Sequence, residues 1–299
     1  MSIEPLAVLT AIEDPIAPPS ANDSVLRRLI RTPTGVVGGC LIVGIVLAAV
    51  FGPFLWPHSP TAPVAGGVAH AFAAPTSQHW LGLDGQGRDV LARTLAGARL
   101  TLLVGISAVA VGVVIGTAVG ALAATIGGMI DSACMRGVDL LLAFPSLLLA
   151  LGIVAAFGQG RFQVVVAVGI TTVPLFARQV RSEIGRQIHL DYVHAARMYG
   201  ASTVRIMLRH LIPNSAYLIG VQAALVMSTA IIEIAALGYL GLGPADPRSP
   251  EWGAMLTEAT STMRSEPLLV LWPSLALVAT AIAFNLFGDG LQRVLGDQS

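Results

Sequence analysis

Residues 179–213 read QVRSEIGRQIHLDYVHAARMYGASTVRIMLRHLIP, a polar, arginine-rich stretch set between two apolar runs. The contrast across its edges decides the fold class. Before it lies 162–178 and after it 216–237, and working outward four more apolar runs appear at 34–56, 100–126, 138–158 and 267–288. Each reaches or approaches the roughly 20 residues that a helix needs to cross a bilayer. The run 162–178 is the shortest, and Pro174 near its end predicts a kink or an early exit. Composition agrees: of 299 residues, 55% are apolar and only 11% charged, where soluble domains carry about 25% charge. The mean hydropathy is +0.76. The expected fold is an all-α membrane protein with six transmembrane helices.

Arginine placement orients the chain. An even number of crossings puts both termini on one side, and the positive-inside bias places that side in the cytoplasm, together with Arg27, Arg28, Arg31 and the arginines from Arg178 to Arg209. The organisation expected is a cytoplasmic tail over 1–33, a first transmembrane helix over 34–56, an extracytoplasmic segment over 57–99 and a core over 100–293 with five helices. The location is the cytoplasmic (inner) membrane, crossed several times.

Within the second run, Ala108, Gly112, Gly116, Gly120 and Ala124 recur every four residues. Such a stripe is a flat helix face for close backbone packing, against another span or a partner subunit. Glu233 is the one acid well inside an apolar run, since Asp139 only opens its own. It either lines a route for solute or ties neighbouring backbone and hydroxyls together.

The stretch 179–213 is polar enough to leave the bilayer and regular enough to be helical on both sides of Gly200. Ala195 and Ala196 offer a close-approach surface, Gly200 permits a sharp change of direction, and Pro213 suits the first turn of the next helix. The element predicted is a helix, a bend, a second helix and a return to the membrane. Ala195, Ala196, Tyr199, Met207 and Leu208 make its contact face, and its arginines meet either acidic groups of a partner or lipid phosphates. Taken alone, the same pattern also describes an amphipathic helix lying on the membrane.

What the chain lacks is informative. All 17 basic residues are Arg, so no phosphate-binding loop with its essential Lys is possible and nucleotide energy must come from another chain. Cys40 and Cys134 form no CxxC pair. His58, His70 and His79 are scattered through the outer segment, and His189, His194 and His210 lack the i, i+4 spacing of a helical metal site. No metal site, catalytic dyad or nucleic-acid partner is expected.

His194-Ala195-Ala196, three residues, Gly200, nine residues and His210-Leu211-Ile212-Pro213 resemble the EAA loop of permease subunits in binding-protein-dependent ABC importers. His194 stands where that motif has Glu. His79-Trp80-Leu81-Gly82-Leu83-Asp84 with Gly87-Arg88-Asp89, the stretch Glu233 to Gly243 with Trp252-Gly253-Ala254, and Asn285 to Leu291 are similar to the DppC/OppC-type permeases of peptide importers. The resemblance implies a type I ABC importer permease fold and a coupling role for His194, Ala195, Ala196, Tyr199, Gly200, Arg205, Arg209 and Pro213. It also implies a second permease, two ATPase subunits that carry ATP and Mg, and an extracytoplasmic peptide-binding protein. The cargo left open is a di- or oligopeptide, glutathione, a nickel chelate or haem. An ion-coupled secondary transporter, the rival class, would show several buried ionisable groups or an inverted repeat.

Overall fold

The computed structural model describes residues 28–243, 246 and 248–296; most of the expected tail lies outside them. Among the described residues there are helices and no strand, apart from one isolated bridge between Leu83 and Asp89. The order is α1 (Pro33–Leu55), a short 3-10 turn over Gly67–His70, α2 (Val90–Ile126), α3 (Gly128–Leu142), α4 (Ser146–Phe157), α5 (Arg161–Gln187), α6 (Asp191–Met198), α7 (Thr203–Ile206), a π-helical turn over Met207–Leu211, α8 (Ile212–Asn214), α9 (Ala216–Tyr239), α10 (Trp252–Thr260) and α11 (Leu268–Gly296).

Among the described residues five helices, α1, α2, α5, α9 and α11, are long and apolar enough to cross a membrane, with a sixth crossing if α3 and α4 are counted as one bent span. The run 138–158 is therefore not a straight helix. It breaks before Pro145, where the ring disfavours helical backbone at Phe144, and the two halves meet at 90°. Pro174, in contrast, ends nothing: α5 runs through it to Gln187, so the first part of 179–213 is a continuation of the span. The second helix also starts earlier than its apolar run, at Val90 rather than 100, because Asp89 accepts the Ala92 N–H at 2.7 Å as an N-cap. Its 37 residues rise about 55 Å at about 1.5 Å each, well beyond the hydrocarbon.

The centre of the bundle is α2 against α5. Ala108, Gly112, Gly116 and Gly120 all lie on this contact. A Cβ on Gly116 would sit 2.6 Å from Phe176 Cβ and 2.7 Å from the Val173 carbonyl oxygen; one on Gly112 would strike Thr172, and one on Gly120 the Ala177 carbonyl. Ala124, at the foot of the stripe, packs into a second apolar cluster with Val180, Ile184, Val193, Ile206 and Leu211. The α5 span is 61% buried, whereas α1 and α11, which pack on each other through Gly38, are 22% buried and form the periphery.

Candidate functional site

The stretch after α5 folds into a bracket at one end of the bundle. Leu190 precedes α6, whose eight residues end at Met198. Gly200 then turns the chain with φ +78°, a left-handed conformation that a side chain strains. Ser202 caps α7, and the helical path continues through the π turn to Pro213 in the first turn of α8.

The bracket has an inner and an outer face. Val193, Ile206 and Leu211 are buried against Ala121 of α2 and Val180 and Ile184 of α5, with Ala196 and Met207 packed beside them. On the outside stand His194, Ala195, Arg205, Leu208, Arg209 and Pro213, all exposed. Of the expected contact face, Ala196 and Met207 thus belong to the anchor, and Met198 joins the outer surface. Met198 and Tyr199, 89% and 93% exposed, are its most prominent apolar groups.

Polar contacts fix the bracket to the bundle, through residues that no motif in the sequence marks. Gln187 donates to Glu183 Oε1 at 2.6 Å and to Ser215 Oγ at 3.3 Å, and accepts from Tyr192 OH at 3.0 Å. Arg186 closes on the other oxygen of Glu183. One amide thereby joins the end of α5, the start of α6 and the start of α9. The i, i+4 spacing of Glu183 and Gln187 was the available signal, visible only once α5 is known to extend that far. Nearby, Arg181 and Arg178 reach Asp131 and Asp139 of α3, each at 2.5 Å, so the bent pair is tied to the same end.

At the other end of α2, α10 is locked to the segment that links α1 to α2. Trp252, buried, donates its indole N–H to the Thr94 carbonyl at 2.9 Å. Arg88 and Arg93, each 1% exposed, bridge Asp84 and Glu258 over 2.6–3.1 Å. These four residues line a cavity of about 340 Å³. Burial, with the Asp84 charge adding to it, pushes the Glu258 carboxyl up to about 7 against the pull of Arg88. Glu251 accepts the Gly253 and Ala254 N–H groups as the cap of α10, and burial pushes its carboxyl up to about 7 as well. Between the two ends, Glu233 of α9 is half-buried and accepts from Thr171 of α5 at 3.2 Å. Two histidines that look scattered in the sequence, His58 and His79, meet with ring centroids 4.6 Å apart.

The chain is thus a helical bundle with a bracket that is packed against one end and exposed on its far face. Residues 94–298 match the family described as binding-protein-dependent transport system inner membrane component. The chain belongs to this family. Residues 22–75 of the permease match the N-terminal TM domain of oligopeptide transport permease C. The permease is 42% identical over 269 residues to the glutathione transport system permease protein GsiD of Pectobacterium atrosepticum, covering 90% of this chain and 88% of the relative. It is 38% identical over 285 residues to the dipeptide transport system permease protein DppC of Alkalihalophilus pseudofirmus, covering 95% and 92%. The GsiD protein of Escherichia coli O1:K1 is 39% identical over 269 residues. The permease is therefore a membrane protein of the peptide- and glutathione-type ABC importer family.

Proposed function

We propose that the chain is one of two related membrane subunits of an ATP-driven importer of short peptides, glutathione among them, and that the bracket is its drive shaft. The observation that carries this reading is the bracket's two-sidedness: an exposed apolar tip at Met198 and Tyr199 on an element bolted to α2, α5 and α9. Exposed large apolar groups on a fixed support are what a socket on another protein requires. In this reading two ATPase subunits hold ATP and Mg and take one bracket each, the bracket facing the cytoplasm. Nucleotide binding draws the ATPases together, the brackets follow, and the membrane subunits turn from inward-facing to outward-facing. A binding protein delivers the peptide at the end formed by the outer segment and α10.

Rigidity is the physical requirement. A bracket hung on a flexible loop would move without moving the spans; here Val193, Ile206 and Leu211 are buried and Gln187 bridges three helices, so displacement of α6 is passed to α5 and α9. Replacing Met198 and Tyr199 together by Asp tests the reading in a strain producing all subunits. The expected result is loss of ATPase co-purification and of ATP-dependent uptake of labelled dialanine and glutathione. The thermal midpoint of the isolated chain stays unchanged, because exposed substitutions cost within about 0.5 kcal/mol. Undiminished co-purification, or uptake by the isolated chain without ATP, overturns the proposal.

A further inference from the structure

A further side-chain cluster lies at the Asp89 end of α2, away from the bracket. His58 follows the end of α1, His79 lies in the outer segment and Asp89 caps α2; one ligand-capable atom from each lies within 4.8 Å of the others. Asp89 is buried and both imidazoles are half-buried.

Hydrogen bonds fix the imidazole tautomers. His58 Nε2 meets the Gln78 carbonyl oxygen at 2.9 Å, and His79 Nδ1 meets Asp89 Oδ2 at 2.7 Å. Both partners only accept, so each neutral ring carries its N–H at that atom. His58 Nδ1 and His79 Nε2 are left with their lone pairs. Asp89 Oδ1 is occupied by the Trp56 indole N–H at 3.2 Å and the Ala92 N–H at 2.7 Å, which holds the carboxylate still behind His79. Imidazoles whose far N–H is held by a carboxylate or a carbonyl are oriented as metal ligands are, and the carboxylate raises the basicity of the ligating nitrogen.

We propose that His58 and His79, with Asp89 as the carboxylate partner of His79, form a binding site for a late first-row divalent cation of the Zn²⁺, Ni²⁺ or Cu²⁺ class. Imidazole nitrogen suits these ions, whereas Mg²⁺ and Ca²⁺ require oxygen ligands. Such an ion takes each imidazole nitrogen at about 2.0–2.1 Å, and water completes the coordination. The ion clips the end of α1 to the start of α2 across the outer segment. The inference rests on the residues of this cluster and is independent of the cargo and of the coupling role.

The full chain, purified through a streptavidin-binding tag so that no added histidines compete, is titrated with Ni²⁺ and with Zn²⁺ by calorimetry. Indole emission is followed alongside, because the Trp56 ring lies 5.3 Å from His58 and 4.8 Å from Trp80. The expected result is one ion per chain, quenching by Ni²⁺ that Zn²⁺ competes away, and a higher thermal midpoint with Zn²⁺. His58→Ala and His79→Ala should each weaken binding at least about ten-fold and abolish the quenching. Asp89→Asn keeps an acceptor for the helix cap and should weaken binding about 10–100-fold. Absence of stoichiometric binding overturns the proposal, as does binding retained in the double histidine variant. Should His79→Ala or Asp89→Asn fail to fold, His58→Ala decides alone, since no described hydrogen bond of its ring supports a helix cap.

Discussion

Glu251 shows how one buried acid makes stability depend on pH. Its carboxyl is buried at the α10 end of the bundle, with Glu251 only 2% exposed, and burial outweighs the two N–H donors that favour the charged form. The folded chain therefore holds the proton up to about pH 7, against 4.5 for an unperturbed glutamate. Between those limits the folded state binds more protons than the unfolded state, so stability falls as pH rises, by up to about 1.4 kcal/mol per pH unit for one group. Below that window both states are protonated and the dependence vanishes. Glu251→Gln keeps an acceptor for Gly253 and Ala254 and removes the titration. Thermal midpoints in detergent at pH 5 and pH 8 should differ less in this variant than in the wild type, with Glu258 supplying what remains of the slope. An unaltered difference would place the proton elsewhere. No pattern in the sequence identifies Glu251 as buried; its neighbours Arg248, Ser249 and Pro250 read as a surface turn. Gly238, on α9, has no side chain where a Cβ would strike the carboxylate, and Gly243 and Gly253 also leave it room.

Elements were legible where a period ran through them. The four-residue stripe on α2 is plain in the sequence, and its partner is α5, where the flat face meets Val173, Phe176 and Ala177. The break between α3 and α4 and the extension of α5 to Gln187 were not legible. Apolar content is continuous across Pro145, and polarity at 179–187 marks the end of a hydrophobic run rather than the end of a helix. The stripe makes a sharp prediction at this scale. Gly116→Ala puts a methyl 2.6 Å from Phe176 Cβ and 2.7 Å from backbone oxygen, so two helices must separate, at a cost of about 1–3 kcal/mol for overpacking. Gly152→Ala on α4 meets nothing within 4 Å and should gain up to about 1 kcal/mol of helix propensity. Opposite shifts of the unfolding midpoint are expected in the same detergent; equal shifts would mean that α2 and α5 do not touch at Gly116.

For the whole molecule, the contacts sort into two ends joined by one long helix. The Asp89 end of α2 holds the outer segment and α10, through Trp252 and the Arg88–Arg93 bridges; the Ala121 end holds α6, α7 and the base of α5. A helix of 37 residues keeps the ends about 55 Å apart at about 1.5 Å per residue, so they emerge on opposite faces of a core about 30 Å thick. The arginine-rich stretch Arg178 to Arg209 lies at the bracket end, and in the proposed reading that end faces the cytoplasm, as the positive-inside bias predicts. Labelling checks the assignment. With Cys40 and Cys134 replaced by Ser, single cysteines go in at Val68, 71% exposed in the outer segment, and at Tyr199, 93% exposed on the bracket. In intact spheroplasts a membrane-impermeant maleimide should modify the Val68→Cys chain at once and the Tyr199→Cys chain only after the membrane is opened. The reverse order would place the bracket outside, where no ATPase could reach it; reaction of both from outside would mean that α2 does not cross. If both subunits of the importer share this polarity, ATPase binding should shield Tyr199→Cys from the reagent in opened membranes while leaving Val68→Cys reactive. That shielding separates a bracket seated in a socket from a helix merely resting on lipid.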